Sequence, residues 1–61
     1  MEFDPPMERR KAVFAALVAA QDEGKPVRTS RTLVAGQFGL TVSDVEVIEQ
    51  EGLKKEWPPL S

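Results

Sequence analysis

Proline and glycine fall at only a few points in this chain, and they cut it into three stretches that can each be one helix. Asp4-Pro5-Pro6 stands near the start, Gly24-Lys25-Pro26 follows, Gly36 and Gly39 stand close together, Gly52 comes singly, and Trp57-Pro58-Pro59-Leu60 comes last. Asp is a good helix cap, and proline in the first turn gives up an amide that would be unpaired anyway. The first helix is therefore expected over 5–23, an alanine-rich run of strong helix formers. Gly24 ends it and Pro26 prevents its continuation. Thr29 or Ser30 can cap a second, short helix over 30–38. Gly39 then tolerates the positive φ of a tight turn. Thr41 is a natural cap for a third helix over 42–51, with Asp44 three residues on as its reciprocal partner. Gly52 is read as its end, and Pro58-Pro59 cannot continue a helix.

Three short helices leave little to bury. The chain has 61 residues, so 1–61 reads as one domain. A domain of that size hides only about 60% of the surface its unfolded chain exposes. Hydrophobic residues at 41% and charged residues at 30% are a globular balance, not a disordered one. The sequence has no Cys and no His. Disulfides, thiolate metal sites and thiol chemistry are excluded, and the commonest general base is missing. A non-enzymatic module without metal or cofactor is the expectation. The longest apolar stretch, 12–20, is too short to span a bilayer. Acidic residues before it and the lack of a small-residue cleavage site after it argue against a signal peptide. Together with the absence of cysteine, this leads to an expected cytoplasmic location.

Apolar residues at spacings of three and four mark the inner faces. The expected core is Val13, Phe14, Leu17, Val18, Val34, Ala35, Phe38, Leu40, Val45, Ile48 and Trp57. Trp57 is expected to fold back over one open end of it, with 57–61 as a Trp-Pro-Pro-Leu tail. The other possibility for that tail is a stiff, extended recognition segment. Phe3 and Met7 are expected to close the opposite end. The overall expectation is an all-α three-helix bundle. No paired strands follow the third helix, so no wing is expected.

Within this frame the spacing of one segment is distinctive. Ala35 is small where two helices must approach closely, Gly39 stands four residues later at the turn, and Val34, Phe38, Leu40, Val45 and Ile48 fill five buried positions around them. Residues 31–50 thereby resemble the helix-turn-helix of bacterial and phage transcription regulators and of sigma-factor C-terminal domains. The resemblance covers about a third of the chain, and the same two-helix unit also serves elsewhere as a structural or protein-binding element.

The resemblance implies duplex DNA as the partner and a role in transcription regulation. Phosphate contacts would come from the start of the motif's first helix, where Arg28, Thr29, Ser30 and Arg31 stand, and from Arg9 and Arg10 on the first helix. Those arginines read equally well as solubilising surface residues. The base-reading positions match Thr41, Val42, Ser43, Glu46, Val47 and Gln50. Gln can pair with adenine, Thr or Val can touch a thymine methyl, and Glu can accept from a cytosine amino group.

Charge works against this. Residues 24–40 carry +3, but residues 41–52 carry −4 (Asp44, Glu46, Glu49, Glu51) and no Arg or Lys. Affinity for DNA comes largely from neutralising phosphates, so a dimer, or a neighbouring subunit that supplies positive charge, is the expected form of a DNA-binding role. The alternative is a protein-interaction module whose acidic third helix meets a basic partner, with Val42 and Val47 adding apolar contacts.

Overall fold

A computed structural model describes residues 6–60, and it is an all-α three-helix bundle. Helix α1 spans Met7–Asp22, α2 spans Val27–Phe38 and α3 spans Val42–Lys55, and each packs against the other two. Among the described residues there is no strand, and no helix is long and apolar enough to cross a membrane. Helix α1 starts at Met7 with Pro6 at its cap position, two residues later than the expected start at 5, because the cap backbone falls on the second proline of the pair. The expected capping Asp4 and the expected closing role of Phe3 lie outside the described residues.

Helix α1 turns Val13, Phe14, Leu17 and Ala20 inward. Their spacing of one, three and three residues is one face of a 3.6-residue period. They meet Val34 and Ala35 of α2 and Val45 and Ile48 of α3, with Trp57 over the end. Each of the larger side chains, once fully buried, contributes about 1.5–3 kcal/mol. Val18, Phe38 and Leu40 were expected inside this set but pack at its edge, half-buried. Met7 does not close the core, and 47% of its surface stays exposed. It sits on the first turn of α1, nearly two turns before Val13, the first α1 residue to be buried.

Helix α2 begins three residues before the expected position 30. Pro26 takes the cap position (φ −57°, ψ 153°), and the Ser30 amide donates to its carbonyl at 2.9 Å. Neither Thr29 nor Ser30 caps the helix. Ser30 is instead fully buried inside it. Its hydroxyl donates to the Val27 carbonyl at 2.7 Å and accepts from Gln21 Nε2 at 3.2 Å. The hydroxyl read as a cap thus ties the start of α2 to the end of α1.

Helix α3 passes through Gly52 and ends at Lys55. Gly52 is buried, and a Cβ built on it would overlap the ring of Phe14. The glycine marks a close approach of α3 to α1 rather than the end of a helix. Phe14 also packs against Trp57, edge to face, with ring centroids 6.2 Å apart. Lys11 and Lys55 place their ammonium groups 6.0 and 5.8 Å from the Trp57 ring centroid. Trp57 therefore does fold back over the core, as expected.

All three helices end in the same way. A residue of positive φ follows the last turn: Gly24 (93°), Gly39 (68°) and Glu56 (54°). The next amide then donates back to a carbonyl five residues earlier: Lys25 to Ala20, Leu40 to Ala35 and Trp57 to Gly52, at 3.3, 2.8 and 3.0 Å. This is the Schellman arrangement, which satisfies carbonyls the helix itself leaves free.

Candidate nucleic-acid interface

The orientation of α3 is set at both ends of the turn 39–41. Gly39 reverses the chain in the left-handed region. Thr41 then starts α3 with a complete capping box: the Asp44 amide donates to Thr41 Oγ1 at 3.0 Å and the Thr41 amide donates to Asp44 Oδ2 at 3.2 Å. Val45, Ile48 and Gly52 face inward. At 100° per residue, Ser43, Val47, Gln50 and Lys54 form the opposite, outward stripe. All six residues expected to read bases or meet a partner are exposed: Thr41, Val42, Ser43, Glu46, Val47 and Gln50.

The carboxylates of α3 are not a free acidic face. Asp44 is occupied in the capping box. Arg31 reaches across from α2, donating from Nε to Glu49 Oε1 at 2.9 Å and from NH1 to Glu46 Oε2 at 3.3 Å. Arg10 reaches from α1 and holds Glu51 at two points, Nε to Oε1 at 2.8 Å and NH2 to Oε2 at 3.1 Å. Lys55 adds a third contact to the same carboxylate at 2.9 Å. These cations keep the Glu51 carboxyl below the usual carboxylate range, the Arg10 hydrogen bond being the largest cause and that of Lys55 the next.

The cations are correspondingly committed. Arg10 and Arg31 are held by α3. Arg9 donates NH2 to the Phe38 carbonyl at 2.8 Å, at the end of α2, with its guanidinium 5.4 Å from the Phe38 ring centroid. That position suits a cation, since the end of a helix carries partial negative charge. Ser30 is buried and has no surface to offer. Of the six residues expected on phosphate, Arg9 is exposed but engaged at the Phe38 carbonyl, and Arg28 and Thr29 are exposed as well; among the described residues no carboxylate is paired with Arg28. They lie in the first turn of α2, which has no side-chain cap and no acidic residue.

Lys54 was missed by sequence reasoning. It lies four residues beyond Gln50 on the outward stripe, exposed, because α3 continues past Gly52. Strong helix formers follow that glycine, Leu53-Lys54-Lys55, and they were the signal that the helix goes on.

A concavity lies away from this surface. It is an open groove of about 230 Å³ between α1 and α2, lined by Ala16, Ala19, Ala20, Leu33, Val34, Gln37 and Glu23. Comparison of the chain with protein-family models, with curated proteins and with solved structures gives no match.

Proposed function

We propose that this chain is a small, non-enzymatic, cytoplasmic helix-turn-helix module that binds duplex DNA and acts in transcription, with α3 along the major groove and the start of α2 on the phosphate backbone. The observation that supports this reading is the internal pairing of the α3 carboxylates. It leaves an outward stripe of Ser43, Val47, Gln50 and Lys54 with no carboxylate on it. The conflict between four acidic residues and a line of phosphates is thereby much reduced. Arg28 and the uncapped amides of the first turn of α2 supply a phosphate contact. With so few free cations a single copy binds weakly. A dimer, or a basic neighbour, completes the affinity.

The test is a fluorescence-anisotropy titration of the protein against mixed-sequence duplex DNA at low and near-physiological salt. Binding that weakens with salt, and weakens further in Arg28→Ala and Lys54→Ala, supports the reading. No binding at low salt rejects it.

A second reading is favoured by one feature. Val42, Val47 and Leu53 are exposed on α3, Val47 to 62%. In that reading α3 meets a protein. Because its carboxylates are already paired, the contact would be led by these apolar side chains rather than by charge.

A further inference from the structure

The three arginine-carboxylate links to α3 are not equivalent. Among the described residues, Arg10 pairs with Glu51, whose carboxylate Lys55 also contacts, so that carboxylate is not in surplus over its cations. Arg31 faces two carboxylates. Glu49 takes the inner side of the guanidinium, through Nε and NH2, both at 2.9 Å, with its side chain only 13% exposed. Glu46 takes the outer nitrogen, NH1, at a longer 3.3 Å and with 49% of its side chain exposed. One positive charge thus holds two negative ones, and Glu46 is the surplus partner.

The inner contact fixes α2 to α3. The outer contact is a solvent-facing pair of the kind that contributes little to stability and is readily broken. A phosphate oxygen offers NH1 a charge-assisted hydrogen bond of the same type. Glu46 is also the only carboxylate among the residues expected to meet DNA, so the contact lies at the edge of that surface.

We propose that the Arg31–Glu46 contact is exchangeable: a phosphate replaces the Glu46 carboxylate on Arg31 NH1, and Glu46 is an internal competitor that lowers the affinity of this surface for polyanions. The inference rests on the DNA reading for its partner but not for its chemistry. Glu49 keeps Arg31 in place during the exchange, so the guanidinium is presented without reorganisation of the helix. Glu46 then discriminates by charge density, because only a partner that outcompetes an attached carboxylate gains the arginine.

The experiment compares wild type with Glu46→Gln, both in the wild-type background and with Arg31→Gln. Each variant is checked first for helix content and for the Trp57 fluorescence of the folded state. Duplex binding at low salt is expected to tighten about threefold in Glu46→Gln. The slope of log K against log salt should steepen by about one. Both gains should vanish when Arg31 is replaced. Should Arg31→Gln fail to fold, Arg31→Lys takes its place, since one ammonium cannot present the two separate edges of a guanidinium.

An equal gain from Glu46→Gln with and without Arg31 overturns the proposal, because Glu46 would then act only as net charge. Absence of all duplex binding rejects the DNA reading separately. Pyrophosphate, followed by the side-chain nitrogen signals of Arg31, then decides the exchange alone. Shifts that are larger in Glu46→Gln than in wild type support it, and none in either overturns it.

Discussion

Gly52 and Phe14 are the pair on which the packing of α3 against α1 depends. In an exposed helix, Gly→Ala is stabilising by about 1 kcal/mol. Here the added methyl would meet the Phe14 ring, which is buried and packed against Trp57. Overpacking of this kind costs about 1–3 kcal/mol. Gly52→Ala should therefore lower the midpoint of chemical denaturation, the reverse of its effect on an isolated helix. Glu51 gives a second residue-level expectation. Its folded pKa lies below its unfolded one because Arg10 and Lys55 hold the charged form. The stability it adds is present above the ordinary glutamate value, about 4.3, and is lost as pH falls through the depressed folded value. Denaturation midpoints measured from pH 6 down to pH 2 should show this loss in wild type and a flatter acid limb in Glu51→Gln.

Among the elements, the helix ends are the most informative. Two of the three left-handed end positions are glycine, and the third is Glu56, at φ 54°. An L-residue there costs roughly 1–2 kcal/mol, so Glu56→Gly should raise the thermal midpoint, by an amount equivalent to about 1 kcal/mol. No rise would mean that the side-chain contacts of Glu56 offset the strain. The fold itself was readable in the sequence to this level. Three helices, the turn at Gly39 and the Thr41–Asp44 box follow from local chemistry that acts over four residues. What was not readable required a partner distant in sequence. Ser30 reads as a cap until Gln21 is seen beside it. Gly52 reads as a stop until Phe14 is seen against it. Pro26 started α2 because its fixed φ suits a cap position as well as the first helical residue.

At the scale of the whole molecule, charge that is segregated along the sequence is paired in space. The basic segment 24–40 and the acidic segment 41–52 meet through Arg31, and Arg10 supplies the other link. The exposed positions of the candidate surface were legible, since helical period alone places Ser43, Val47 and Gln50 outward. Its electrostatics were not, since the neutralising arginines come from two other helices and Lys54 lies beyond the glycine. If the DNA reading holds, Arg28 and Lys54 are the main phosphate contacts of one copy, and the salt slope should be about −2 per chain. Arg28→Ala and Lys54→Ala should each reduce its magnitude by about one. The placement of Trp57 has one more consequence. Phe14, midway along α1, is covered by Gly52 and Trp57, which lie about forty residues later. During synthesis at roughly 5–20 residues per second, α1 emerges seconds before its cover does. Its apolar face must wait in the open until Trp57 is clear of the ribosome, so this chain folds after its core has been made rather than while it is being made.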